Sequence, residues 1–277
     1  MTLLINSLKE VAANYDAFVF DQWGVLHDGT SAYAGAINII ETLANQAKIL
    51  AVLSNSGKRS TQNIERISAM GFKQNLFQNV LTSGEVLWND IKSERIVQKR
   101  FYPIEHTKGD AAKWAEGLNI DFYEFEKAEA ILLMGVPDGH DEKHYQNLCL
   151  DAQDRNLLVY CSNPDRSSPR AKGLVTSPGA IAATYKALGG EVVFYGKPHA
   201  KIFETMQRIL GTDRILMVGD SLEHDIAGAK NVGWDSLLVA GGLYAEAFEN
   251  AQAESTLEDL LQFSGYSAPD FLIHELS

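Results

Sequence analysis

Apolar residues along this chain gather in short uninterrupted runs, set between longer stretches where polar and apolar positions follow a helical period. The runs are Ala17 to Phe20, Lys48 to Leu53, Ala130 to Met134, Leu157 to Cys161, Val192 to Tyr195, Arg214 to Val218 and Ser236 to Ala240. They lack polar alternation, as strands do when helices cover both faces. Alternation of such runs with helix-like stretches predicts an α/β fold, a doubly wound parallel sheet joined by crossover helices. Helices are expected over 61–70 and about 200–210. The opening segment, MTLLINSLKEVAANYD, lacks the basic leader and long apolar core of a secretory signal and reads as a capping helix.

Length and charge narrow this picture. At about 150 residues per domain, 277 residues suggest two domains, or one large α/β unit with an insertion. Hydrophobic residues at 45% and charged residues at 22% fit an ordinary globular chain, and no apolar run approaches a membrane span. With 36 acidic against 24 basic side chains, the net charge of -12 argues against a nucleic-acid or membrane partner. A small anionic substrate would then need a local positive correction. Cys149 and Cys161 are too few and too far apart for a disulfide framework or a CxxC metal site, which fits a reducing cytoplasm.

Four of the predicted strands and loops end in polar clusters, and carboxyl ends of parallel strands are where such folds bind ligands. Phe20 runs into Asp21, a fixed carboxylate able to act as nucleophile or metal ligand, and Gly24 and Gly29 let the following chain turn sharply. Leu53 runs into Ser54, Asn55 and Ser56 just before a helix start, a favourable seat for phosphate. Gly196-Lys197-Pro198 supplies a compact positive charge. Val218-Gly219 leads into Asp220, with Asp225 five residues on, a pair able to converge on one hard cation. Each cluster alone is also ordinary loop chemistry: an Asx-turn, a helix cap, a solvated lysine, an acid at a helix start.

In combination they resemble the four motifs of the haloacid-dehalogenase-like (HAD) superfamily. DxxGVL at Asp21 to Leu26, LTS at Leu81 to Ser83, SNPD at Ser162 to Asp165, SPGAI at Ser177 to Ile181, GKP and GDSLEHDIAGA look like its class IIA phosphatase branch. The resemblance covers the chain to about Tyr244 and implies a doubly wound core interrupted by an α/β cap. On that basis the core is expected at 1–84 and 184–277, and the cap at 85–183. It further implies that Asp21 attacks phosphorus, Ser54 hydrogen-bonds the transferring phosphoryl group and Lys197 neutralises charge beside Asp21. Asp21, Asp220, Asp225 and the backbone carbonyl at Trp23 would hold Mg2+. A small phosphorylated metabolite is the expected substrate, and pairing of two copies through the cap is an expectation of the same kind.

One position departs from the family pattern. Its phosphatases carry a second aspartate two residues after the nucleophile, as general acid and base, where this chain has Trp23. Loss of such a group typically costs about 10²- to 10⁴-fold in rate. Three readings follow. The protein is a phosphatase whose substrate has a good leaving group, or in which His27 or Asp28 moves the proton. It is a phospho-ligand binding or regulatory protein that has lost turnover. Or it attacks carbon, as the dehalogenases do, a reading that the intact Asp220 and Asp225 pair opposes.

The inserted segment offers further candidates. Asn163 and Asp165 follow a predicted strand and either face substrate or initiate a turn at Asn-Pro, and Arg170 has the fork to grip an anionic group. Asn55, Ser56, Asn163, Asp165 and Arg170 therefore join Ser54 as expected substrate contacts. His140 and His144 have zinc-compatible spacing but no further ligand, and read as an exposed, acid-rich helix start. The basic run over 92–108 reads as a solvated face of the cap.

Overall fold

The computed structural model describes residues 2–170, 173–249 and 252–276. Its strands are, in chain order, β1 (Leu3–Leu4), β2 (Ala17–Phe20), β3 (Ile49–Ser54), β4 (Asn79–Thr82), β5 (Arg100–Ile104), β6 (Asp121–Phe122), β7 (Ala130–Leu133), β8 (Leu158–Cys161), β9 (Ser167–Arg170), β10 (Gly173–Thr176), β11 (Val192–Phe194), β12 (Ile215–Gly219), β13 (Asp235–Val239) and β14 (Phe271–Ile273). Every predicted strand is present, within a residue or two of its expected bounds. Chain contacts divide the molecule into two units, Met1–Ser54, Thr61–Leu81 and Lys197–Ser277 on the one hand, Asn55–Ser60 and Thr82–Gly196 on the other.

The first unit is built on a seven-stranded sheet in the order β1-β14-β13-β12-β2-β3-β4. Pairing is parallel from β1 through to β3. Alternate residues serve opposite faces, which is why the strand runs are apolar throughout. Phe18, Phe20, Leu50, Val52, Leu216 and Val218 pack on one face against Ile39, Ile40 and Leu43 of the helix Ala34–Asn45. On the other face Leu238 and Leu272 meet Leu222, Ile226, Phe248 and Leu257. Burying one such side chain contributes about 1.5–3 kcal/mol, so this double cover is the main source of the unit's stability. The opening segment is not the expected helix. It forms β1, parallel to β14, followed by two short 3-10 turns, because Ile5, Leu8 and Val11 are drawn into the sheet core.

The second unit holds a five-stranded parallel sheet, β11-β8-β7-β5-β6, and the antiparallel pair β9 and β10. Ile131, Leu133, Val159 and Cys161 pack against Cys149 and Ala152 of the helix Gln146–Asp154 and against Ile181, Ala182 and Tyr185 of the helix Pro178–Ala187. This corrects the expected boundary at 183. The helix Pro178–Ala187 covers the cap sheet, and β11 pairs with β8, so the chain does not rejoin the core unit until Lys197. Tyr195 closes the segment by donating to buried Asp90 Oδ2 at 2.6 Å.

A second correction concerns residues 55–60, which belong with this unit. Arg59 makes a bidentate pair with Glu85 and lies 3.8 Å over the Trp88 ring, while the Thr82 hydroxyl donates to the Lys58 carbonyl. The basic run over 92–108 is only partly a solvated face. Within it β5 sits between β6 and β7, with Phe101 fully buried and the Arg100 side chain paired outward to Glu129.

Candidate active site

The site is assembled where neighbouring core strands end. Phe20 stands opposite Val52 and Val218, so β2, β3 and β12 deliver Asp21, Ser54 and Asp220 at almost the same height. The Asp21 amide donates to the Val218 carbonyl at 2.9 Å, which fixes the Asp21 backbone to β12. Beyond β12 the chain makes one wide turn, Leu222–Ile226, capped by the Ser221 hydroxyl accepting from the His224 amide. Such widened turns recur at functional sites, and this one returns Asp225 beneath Asp220.

Carboxylate oxygens of Asp21, Asp220 and Asp225 lie within 4.8 Å of one another. Lys197 reaches them from the start of the chain's return to the core, only 2% exposed. Its Nζ donates to Asp21 Oδ1 and to Asp225 Oδ1, each at 2.7 Å. Burial alone would favour the neutral amine, but these two carboxylates outweigh it and raise the lysine above its ordinary range, so it is a fixed cation.

One lysine does not balance three carboxylates. Burial and then repulsion from Asp21 and Asp225 hold Asp220 well above the ordinary carboxylate range. Burial also raises Asp225, against the pull of Lys197. The backbone is shaped to this crowding. A Cβ on Gly24 would stand 1.8 Å from Asp220 Oδ2, and one on Gly242 would stand 2.4 Å from Asp220 Cβ. The Leu243 amide donates to Asp220 Oδ2 at 2.9 Å, and the Ser221 amide to Asp225 Oδ2 at 3.1 Å. A compact set of buried carboxylate oxygens with surplus negative charge suits a small hard divalent cation.

Gly242 and Leu243 were not among the candidates, since a backbone donor leaves no side-chain signature. The adjacent pair Gly241-Gly242 after β13 is the one trace of them in the sequence.

The loop following Asp21 turns back on itself. Trp23 bridges His27, the Gly24 amide donates to the His27 carbonyl, and His27 bridges Ala32. Neither side chain expected to replace the missing acid is suited to it. His27 is fully buried, its Nδ1 accepts from the Gly29 amide at 3.0 Å, and burial followed by the nearby Arg66 charge lowers it to about 4. Asp28 accepts from the Ser31 and Thr30 amides at 2.8 Å each, and these bonds hold it below its usual range as an anion.

Of the other expected contacts, Asn55, Ser56, Asn163 and Asp165 lie in the second unit. Asn163 Oδ1 accepts from the Asp165 amide, and Asp165 accepts from Asn55 Nδ2 at 2.7 Å, which favours the turn reading of SNPD. The Ser56 carbonyl accepts from the Ser83 hydroxyl and the Gly84 amide. Arg170 pairs with Gly173 through β9 and β10, and its side chain lies outside the described residues. His140 is not on a helix. The His144 ring stacks on it at 4.5 Å and pairs with Asp141, and neither histidine is part of a three-ligand cluster among the described residues.

Two family models match the chain, one described as haloacid dehalogenase-like hydrolase over residues 18–116 and one as HAD-hydrolase-like over residues 194–263. Both matched stretches carry the strand ends that meet in the acidic cluster. The chain is similar to the haloacid dehalogenase-like hydrolases over both stretches. Among relatives of this family, chronophin from Bos taurus is 27% identical over 272 residues, covering 89% of this chain and 88% of its own. An acid sugar phosphatase from Staphylococcus epidermidis is 29% identical over 248 residues, covering 87% of this chain and 92% of its own. A solved HAD-like hydrolase from Brucella suis superposes with a TM-score of 0.82 at 27% identity, covering 99% of this chain and all of that one, 100%. A 4-nitrophenylphosphatase from Thermotoga maritima, with a TM-score of 0.74 at 22% identity, shares the fold over 96% of each chain. The chain therefore matches these relatives over core and insertion alike.

Proposed function

We propose that this protein is a phosphatase that transfers a phosphoryl group from a small metabolite to Asp21 and then to water. The observation that carries the reading is the convergence of Asp21, Asp220 and Asp225 on one point, with Lys197 bonded to two of them. The names of the relatives, a sugar phosphatase among them, support the same chemistry.

Lys197 holds Asp21 by Oδ1, which turns the remaining carboxylate lone pairs towards an incoming phosphorus atom. Attack forms an aspartyl-phosphate and breaks the bond from phosphorus to the leaving oxygen. Ser54, at the end of β3 beside Asp21, donates its hydroxyl to a phosphoryl oxygen. Phosphoryl transfer asks a protein mainly for positioning and charge stabilisation, which a fixed cation and aligned strand ends supply. Asp21, Asp220 and Asp225, with the Trp23 carbonyl, would hold Mg2+, which when bound neutralises charge on the transferring oxygens. Water then attacks the aspartyl-phosphate, and Asp21 departs as a carboxylate.

The test is Mg2+-dependent release of phosphate from an activated aryl phosphate. Asp21→Asn is expected to reduce it at least about 10³-fold, as removal of a nucleophile does. Wild-type protein that binds phosphate tightly yet turns over no phosphorylated metabolite would instead support a ligand-binding role, which the tryptophan at position 23 favours.

A further inference from the structure

The side chains on the loop behind Asp21 restrict which bonds the site can break. Expelling an alkoxide from phosphorus requires a proton at the leaving oxygen as the bond breaks. Trp23 carries only an indole N–H, which is not a transferable proton. His27 is enclosed, with Nδ1 already accepting from Gly29 and Nε2 without a partner among the described residues. Asp28 is an anion held by two amides. Lys197 is clamped between two carboxylates.

The same loop offers something in place of the proton. Trp23 is 38% exposed, two residues from the partly exposed Asp21, while Asp220 and Asp225 are buried. The pyrrole edge of its ring lies against Gly29, which has φ +99° and where a Cβ would stand 2.9 Å from the indole Nε1. Its backbone is tied to His27, and the next residue, Gly24, is pressed against Asp220. Trp23 is thus a fixed aromatic side chain two residues from Asp21 and next to Gly24, which abuts Asp220. An offset or edge-to-face contact with a second ring is worth about 0.5–1.5 kcal/mol beyond burial.

We infer that this enzyme is specific for phosphate esters of aromatic hydroxyl compounds, whose leaving oxygen departs as a stable anion without protonation while the ring packs against Trp23. The inference rests on the phosphatase reading above and names its substrate class. The atoms balance without an acid. Asp21 oxygen bonds to phosphorus, the ester oxygen keeps the electron pair and leaves as a phenolate-type anion, and bulk water protonates it outside the site. In the second step, water loses its proton to solvent as Asp21 leaves.

The experiment is a kcat/KM series with Mg2+ on phenyl phosphates of graded leaving-group acidity, on glycerol phosphate as the alkyl ester and on acetyl phosphate as an activated substrate without a ring. Wild-type rates are expected to climb steeply with leaving-group acidity, with glycerol phosphate slower than phenyl phosphate by at least about 10²-fold, the lower range of a general acid's contribution. Trp23→Asp is expected to restore glycerol phosphate turnover by about 10²- to 10⁴-fold and to flatten the series. Trp23→Leu is expected to raise KM for phenyl phosphate about tenfold more than for acetyl phosphate, as loss of a ring contact would.

Equal wild-type rates on glycerol and phenyl phosphates, or equal KM changes in Trp23→Leu, would overturn this inference and leave the phosphatase reading standing. Absence of turnover on every substrate, acetyl phosphate included, would overturn both.

Discussion

His27 illustrates how a residue that looks like chemistry becomes structure once its environment is known. Its ring is fully buried, and its Nδ1 lone pair is committed to the Gly29 amide. Burial lowers the folded value to about 4, below the unfolded value near 6.5. Protons bind the unfolded chain more readily, so the stability that neutral His27 contributes is complete above about pH 6.5 and is lost as pH falls towards 4. A shift of this size corresponds to about 3 kcal/mol at 1.36 kcal/mol per unit. The expected outcome is that wild-type protein loses stability between pH 6.5 and 4 and that His27→Gln flattens this limb of the curve. Urea titrations at fixed pH steps measure the difference. An unchanged slope in the variant would mean that other groups govern acid unfolding.

At the scale of elements, two strand ends and one wide turn crowd like charges together, and backbone from other segments braces them. Asp220 leaves β12 between Gly24 and Gly242, whose missing side chains make room for its carboxylate, and the Leu243 amide orients it. Because burial and its acidic neighbours raise Asp220, its ionised form costs stability at neutral pH until a cation is bound. Asp220→Asn keeps an acceptor for Leu243 and removes the charge. Its Tm in EDTA is expected to exceed that of the wild type. Magnesium at a hundred times its dissociation constant should stabilise wild-type protein by about 2.7 kcal/mol and leave the variant unmoved. Calorimetry with and without the ion reads both.

Asp21 and Asp220 were legible because apolar runs mark strand ends and each stands directly after one, and Lys197 because it follows such a run by a short loop. Ser54 was legible for the same reason. The Leu243 amide and the glycine cradle were not, since close backbone approach has no residue code of its own. Nor was β5, whose buried Phe101 and Ile104 follow a charged stretch in which Arg95 pairs with Asp90 and Arg100 with Glu129.

For the whole molecule, the question is where one folding unit ends and the other resumes. Motif spacing suggested a cap over 85–183, but periodicity cannot tell which sheet a short strand joins. Two contacts decide it. β11 pairs in register with β8, and Tyr195 donates to Asp90, a carboxylate only 2% exposed that also pairs with Arg95. A fragment ending at 183 strips the β8 edge and leaves the Asp90 carboxylate short of a buried partner, a loss of about 1–3 kcal/mol before any apolar area is counted. It also lacks the Thr82 hydroxyl that caps the helix Ser83–Lys92 by accepting from the Glu85 amide. A fragment spanning 82–196 retains all of these and is expected to melt cooperatively, with dispersed amide resonances. The 85–183 fragment is expected to show helical circular dichroism without a cooperative transition. If the shorter fragment melted as sharply as the longer one, β11 and Tyr195 would be accessories to the cap, and the chain would re-enter the core at residue 184 as its motif spacing alone suggests.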